Sequence, residues 1–432
     1  MADWRRLLAD ITPLRESPAF RRLWAGTTIS SVGSALTAFA VMLQVYDLTH
    51  SPFAVGALGV AQMVPTLTVG LLCGPVVDAL DRRKLVLVTS SCLILVSAAL
   101  AAQAFAGLGL LWLLYALVTV QSAASAVDRP ARSTFIPALL PPGQLAPGLA
   151  LDRLSYQIVL TVGPALAGLI TAAPHLGLRA CYLADAASFL AALYGIARLP
   201  ALRPGAAARP GVRAVAEGIG FIGRSQVIGG AFLADLNATV FGLPVALFPA
   251  INAARFGGDP RTLGLFTTAI GAGGLASAAF SGPVRHVVRQ GRAMLVTVAV
   301  WGAAFAGFAV APGLGLTLGL LAVAGAADMF TVVFRGAIVA AATPDRLRGR
   351  VMAADYVVGA GGGQLGNLEA GALGSLTTPV ISAVAGGLAT VAGALVIGLV
   401  LPAFSRYRRG AAGPSITGSS PRRPGYRGSR SS

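Results

Sequence analysis

The sequence predicts an all-α membrane protein, with twelve transmembrane helices in two pseudo-symmetric six-helix bundles. Three observations predict it. Of 432 residues, 55% are hydrophobic and only 11% charged, where a soluble domain carries about 25% charged residues, and the mean hydropathy is +0.75. Twelve apolar runs approach the roughly 20 residues that a helix needs to cross a bilayer. The basic residues fall in alternate loops between those runs.

The runs lie near 21–47, 54–77, 85–106, 108–127, 147–173, 178–198, 226–251, 262–284, 293–311, 313–335, 351–374 and 377–402. An even number places both termini on one side. With that side cytoplasmic, the N-terminal arm, the loops after spans two, four, six, eight and ten, and the tail hold 30 of the 33 Lys and Arg residues. Only Arg179, Arg255 and Arg261 fall outside, as the positive-inside rule requires of this orientation. The same distribution accounts for the net charge of +17 without nucleic acid as a partner. The first bundle is expected over 1–198, a cytoplasmic linker over 199–225, and the second bundle over 226–405. The stretch 406–432, rich in Arg, Gly, Pro and Ser, has no apolar face to bury and reads as a disordered tail that is either solvated or in touch with anionic lipid.

The halves share landmarks. Gly56 and Gly74 stand 18 residues apart, as do Gly264 and Gly282. Gly74-Pro75-Val76 and Gly282-Pro283-Val284 each precede a basic cluster. Gly163-Pro164-Ala165-Leu166-Ala167-Gly168 parallels Gly366-Asn367-Leu368-Glu369-Ala370-Gly371. Such pairs at corresponding spans indicate duplication, and repeated halves enclose a binding site near the midplane in known transporters.

Gly74-Pro75-Val76-Val77-Asp78-Ala79-Leu80-Asp81-Arg82-Arg83-Lys84 resembles the loop signature G-x-L-x-D-R-x-G-R-[RK] of the major facilitator superfamily. Gly74, Asp78, Arg82 and Arg83 match; Val76, Ala79 and Asp81 depart. Gly163, Pro164 and Gly168 resemble the antiporter motif G-P-x-x-G-G of exporters, with Ala167 in place of a glycine. Phe20-Arg21-Arg22-Leu23-Trp24, Val45-Tyr46-Asp47-Leu48-Thr49, Thr343-Pro344-Asp345-Arg346-Leu347-Arg348-Gly349-Arg350-Val351, Phe248-Pro249-Ala250 and Thr378-Pro379-Val380 resemble the drug and siderophore exporter branch. The resemblance runs to about residue 405. It implies a monomeric secondary active transporter in a bacterial inner membrane, exporting a siderophore or a drug-like amphiphile by proton antiport. It also implies that Gly74, Asp78, Arg82 and Arg83 form a conformational latch against the start of span eleven. Importers, uniporters and transport-inactive sensors share this fold.

Charges within spans are costly and usually functional. Asp235 and Asp328 lie deepest by count, which makes them the first candidates for proton coupling. Glu369 is a third, unless it caps a helix contact. Asp328 has Arg335 seven residues on as an alternative partner, and Asp185 has Arg179. Gln44, Gln62, Gln121 and Asn237 are candidates for the wall of a cavity, as Gln157 is; Trp112, Tyr115, Trp301 and Phe305 could supply aromatic surface. No nucleotide, metal or other cofactor motif stands out: the one lysine, Lys84, follows an arginine, which excludes a P-loop, and His50, His175 and His286 are scattered. Cys73, Cys92 and Cys181 form no CxxC pair. No catalytic set is visible, so an enzyme is not expected.

Overall fold

A computed structural model of the chain describes residues 10–72, 80–174, 177–199, 212–279 and 287–408. Its long helices are α1 (Pro18–Thr49), α2 (Pro52–Leu72), α3 (Arg82–Phe105), α4 (Leu111–Ser133), α5 (Leu145–Thr171), α6 (Gly177–Ala197), α7 (Val212–Arg224), α8 (Gln226–Phe241), α9 (Phe248–Phe256), α10 (Pro260–Ala279), α11 (Gln290–Val310), α12 (Leu314–Ala342), α13 (Arg348–Leu376) and α14 (Pro379–Val400). No strand occurs among the described residues.

Local chemistry sets the helix ends. Ser17, Asp81, Ser225 and Thr378 accept hydrogen bonds from the first-turn amides of Phe20, Arg83, Ile228 and Ile381, satisfying donors that a helix start leaves open. Pro18, Pro52, Pro260 and Pro379 open helices, where their missing N–H costs nothing. His50 closes α1 in the left-handed region at φ 51°. Arg179 donates to Ala104 O at the end of α3 (3.2 Å). Arg255 donates to Phe308 O (3.1 Å), Ala309 O (2.6 Å) and Ala311 O at the end of α11. Both guanidiniums meet the negative pole of a helix, so two of the three arginines outside the basic loops are helix caps. Arg179 is thereby occupied elsewhere than at Asp185.

Helices of the first six pack among themselves, α1 on α5 and α6 and α3 on α4 and α6, and α11 packs on α12 and α14 in the second group. The most extensive contacts between the groups are those of α2 with α13 and of α5 with α10, and the turn Val245–Leu247 also meets α2. Outward-facing residues are apolar: Val88, Leu95, Val296 and Leu399 are all more than 60% exposed, a surface suited to lipid. Ten of the described helical segments, with Gln226–Phe256 taken as one, are long and apolar enough to cross a membrane. Those ten do not include α13, whose eight glycines and four charges (Arg348, Arg350, Asp355 and Glu369) lower its hydropathy, but α13 lies inside the bundle against α2.

Two expectations change. Span seven is not one helix. It breaks after Phe241, because Pro244 can neither donate nor fit against the carbonyl four residues back, and a new helix begins at Phe248. The freed groups are satisfied: the Trp301 indole donates to Gly242 O (2.7 Å) and Ala246 N donates to Asn367 Oδ1 (3.2 Å). The central stretch, read as loop, holds the helix α7, whose Glu217 bonds Arg350 at the start of α13 (2.8 Å).

Candidate functional site

A cavity of about 560 Å³ opens among α1, α2, α4 and α5, with α10, α13 and the turn at Val245–Ala246 completing its wall. On α1, Thr27, Ser31 and Ser34 line it at helical i, i+4, i+7 spacing, so one stripe of hydroxyls faces inward. Trp24, Phe39, Tyr156 and Phe189 add aromatic surface, and Arg129, Arg132 and Asp152 add charge. A polar stripe beside aromatic walls suits a ligand that is itself amphiphilic.

At one end lies an ion pair. Arg132 Nε donates to Asp128 Oδ2 at 2.5 Å, with both side chains about 5% exposed. Thr89 Oγ1 donates to Asp128 Oδ1 (2.7 Å), and Arg132 Nη2 donates to Ser90 Oγ (2.9 Å). Each charge is thus paired and hydrogen-bonded, the condition under which buried charges persist. The sequence reading ended span four at 127 and counted Arg132 as a loop charge. The helix continues to Ser133, and the i, i+4 spacing of Asp128 and Arg132 was the signal available.

The other end is closed by two glycine crossings. An added Cβ on Gly371 would meet Pro52 O at 2.5 Å and Gly56 Cα at 3.2 Å; on Gly168 it would meet Pro260 O at 2.7 Å and Gly264 Cα at 3.1 Å. Pro52 and Gly56 in the first half correspond to Pro260 and Gly264 in the second, and Gly168 corresponds to Gly371. The repeat landmarks therefore meet crosswise, α2 on α13 and α10 on α5. Only residues without a side chain let backbones approach so closely. Beneath the first crossing, Gln364 Nε2 donates to Gln62 Oε1 (3.0 Å), and Asn367 Nδ2 reaches Gln364 Oε1 (3.5 Å). Under the second, Gln157 Nε2 reaches Gly271 O (3.4 Å).

A second charge cluster sits outside the cavity. Arg335 Nη1 lies 3.2 Å from Asp235 Oδ2 and 2.6 Å from Asp355 Oδ1. Asp328, two turns before Arg335 and so on the same face of α12, forms no hydrogen bond or ion pair among the described residues. Arg335 is thus the partner of Asp235 and Asp355, and not of Asp328.

The remaining candidates disperse. Gln62 lines the cavity wall. Gln44 does not: it is buried, exchanging hydrogen bonds with Gln103 (3.0 and 3.2 Å) and accepting from Tyr182 Oη (2.6 Å). Asn237 also points elsewhere, donating to Thr390 O (2.8 Å). Gln121 is half-buried on α4 and not in the wall. Glu369 is half-buried without a polar partner among the described residues. Trp301 and Phe305 stack edge-on in the core, Trp112 is exposed, and Tyr115 donates to Ala54 O (2.6 Å). Gly163 gives α1 room at Ala35, Pro164 lines the cavity, and Gly168 forms the α5–α10 crossing. Gly74 and Asp78 lie outside the described residues. Arg82 is buried, and Arg83 Nη2 donates to Ala197 O at the end of α6.

A multi-pass helical bundle with paired interdomain crossings around one amphiphilic cavity is the architecture of a membrane transporter. The chain belongs to the transmembrane secretion effector family of the major facilitator superfamily, whose profile matches residues 8–415. It is similar to the enterobactin exporter of Citrobacter koseri, 27% identical over 404 residues, covering 93% of this chain and 96% of that protein. It is as similar to the enterobactin exporter of Escherichia coli, 27% identical over 414 residues, covering 95% and 98%. In fold it matches the nucleoside transporter NupG with a TM-score of 0.70 at 13% identity, covering 90% and 99% of the chains. It also matches an inward-facing bacterial homologue of the iron transporter ferroportin, with a TM-score of 0.69 at 17% identity, covering 90% and 98%.

Proposed function

We propose that this protein is a secondary active exporter that moves a small amphiphilic molecule, a siderophore or drug-like compound, out across a bacterial inner membrane by proton antiport. Both termini are cytoplasmic, the protein works as a monomer, and its two six-helix bundles, 1–198 and 226–405, rock about the cavity. The observation that carries the reading is the Asp235–Arg335–Asp355 bridge with Asp328 beside it. Arg335 ties α8 and α13 to α12. A proton delivered to Asp235, from Asp328 or directly, discharges the carboxylate and weakens one arm of that bridge. The freed charge leaves Arg335 on Asp355 alone. Because α13 also carries Gln364, Asn367 and Gly371, a shift of α13 at the bridge is a shift at the crossing with α2. In this scheme protonation and closure act on the same helix. The latch expected of Gly74, Asp78, Arg82 and Arg83 bears on the same helix from its Arg348 end once Arg83 leaves Ala197 O of α6, and Glu369 stays a third candidate for coupling. The exporters that the chain resembles carry enterobactin in their names, which favours a siderophore as cargo.

The test is transport by purified protein in proteoliposomes with an imposed pH gradient, using enterobactin and a panel of amphiphilic drugs. Efflux driven by the gradient is expected, and its loss in Asp235→Asn/Asp328→Asn. Gradient-driven efflux that is unchanged in that double variant overturns the coupling mechanism. Absence of any solute movement under every gradient overturns the exporter reading.

A further inference from the structure

The first six helices hold a carboxyl that the scheme above does not use. Asp185, on α6, is 0% exposed. Its Oδ2 accepts from Thr37 Oγ1 of α1 (2.8 Å) and Ser97 Oγ of α3 (2.7 Å), while its Oδ1 has no hydrogen-bond partner. The fold makes room for this group: an added Cβ on Gly33 would meet Asp185 Oδ1 at 2.7 Å.

No cation answers it. Among the described residues Asp185 enters no ion pair, and the arginine that the sequence suggested, Arg179, caps α3 instead. On α1 the nearest charges along the helix are Asp47 and Arg22, ten and fifteen residues from Thr37, or about 15 Å and more at 1.5 Å per residue. On α3 the charges gather at Arg82–Lys84, about 20 Å from Ser97 by the same rise, and Cys92 is the other titratable group. On α5 they are Asp152, Arg153 and Tyr156, a similar distance below Ala167, which faces α6 at Cys181. On α6 itself Tyr182 is engaged with Gln44. Hydroxyls supply partial charge only, and an unpaired carboxylate inside a membrane protein is costly. The neutralising charge has to be small enough for a packed site. The cavity comes close: Gly33 backs onto Asp185 Oδ1, and the next residue, Ser34, lines the cavity.

We propose that Asp185 is a further proton-binding site, in the first six helices, which exchanges its proton with the substrate cavity through Ser34. It is separate from the Asp235–Arg335–Asp355 cluster in the second six helices. Infrared difference spectra of the full-length protein in lipid nanodiscs, taken from acid to alkaline pH, test it. A carboxylic-acid carbonyl band that disappears on alkalinisation is expected in the wild type and in Asp235→Asn/Asp328→Asn. That band is expected to be missing in Asp185→Asn, whose amide oxygen still accepts from Thr37 and Ser97. Thr37→Val, which removes one donor to the carboxylate, moves the midpoint of the band up by about one pH unit. Ser34→Ala slows the shift of the band in heavy water several-fold. The same band in Asp185→Asn, or a wild-type band that ignores pH, overturns the proposal. Proton binding at Asp185 does not require transport, so failure of the antiport scheme leaves this outcome intact.

Discussion

The glycine crossings offer the sharpest test of how the closed end is held. In Gly264→Ala the new methyl carbon would lie 2.6 Å from Pro164 O and 3.1 Å from Gly168 Cα. An ordinary C···O contact is about 3.3–3.6 Å. The α5–α10 crossing must therefore widen by about 0.7–1 Å, and both atoms it meets are backbone, which cannot swing aside. Overpacking of that kind costs about 1–3 kcal/mol, partly offset by about 0.5–1 kcal/mol of helix propensity. The cost falls on the state in which the crossing is closed, so the equilibrium shifts toward the open state by about 5–150-fold before that offset. Gly371→Ala should act alike on the α2–α13 crossing, where Pro52 O stands at 2.5 Å. The assay is the distance between spin labels at Phe53→Cys and Leu376→Cys in a background without Cys73, Cys92 and Cys181. Both sites are exposed, and Phe53 N donates to Ser375 Oγ beside them (2.9 Å). The long-distance population should grow in Gly371→Ala and Gly264→Ala and stay unchanged in Gly319→Ala, where nothing lies within 4 Å. Wild-type distance distributions in both crossing variants, with folded protein, refute the argument that these glycines set the closed state.

Asp128→Asn leaves Arg132 buried without its counter-charge and should lower stability by about 3–5 kcal/mol, read as thermal unfolding in detergent. Asp128→Asn/Arg132→Gln should cost clearly less than the sum of the single changes, because removal of both charges leaves neither stranded. Gln364→Leu breaks the bridge to Gln62 under the α2–α13 crossing and should enlarge the long-distance population of the same Phe53→Cys/Leu376→Cys label pair. Glu217→Gln, on an arm where Glu217 is 36% and Arg350 48% exposed, should change stability by under about 1 kcal/mol. A larger loss would show that α7 clamps α13 more firmly than a solvated ion pair allows.

The candidate site was legible unevenly. Gly56, Gly264, Gly168 and Gly371 were visible as repeat landmarks, because duplication leaves a mark in spacing alone. That they meet crosswise was not visible, since Gly168 meets Gly264 across 96 residues of chain and Gly56 meets Gly371 across 315. Asp235 could be singled out as a charge in an apolar run, but its partner Arg335, and the Asp355 that shares that arginine, come from two other helices. Asp128 with Arg132 was missed because arginine near a helix end resembles a topology signal. Gln44 and Gln62 looked equivalent, polar residues in apolar spans, and differ only in which neighbour each faces.

By itself, then, the sequence determined the bilayer as solvent, the approximate spans, the alternation of basic loops, the repeat and the family motif. These depend on composition and on periodicities within one helix, which the chain carries locally. The tertiary structure alone decided which carboxylates are paired, which glycines close the cavity, where span seven breaks without loss of hydrogen bonds, and that Asp185 faces hydroxyls and no cation. Those properties depend on the side chains that neighbouring helices bring within a few ångströms, and in a membrane bundle every span presents similar apolar surface until packing selects its partners.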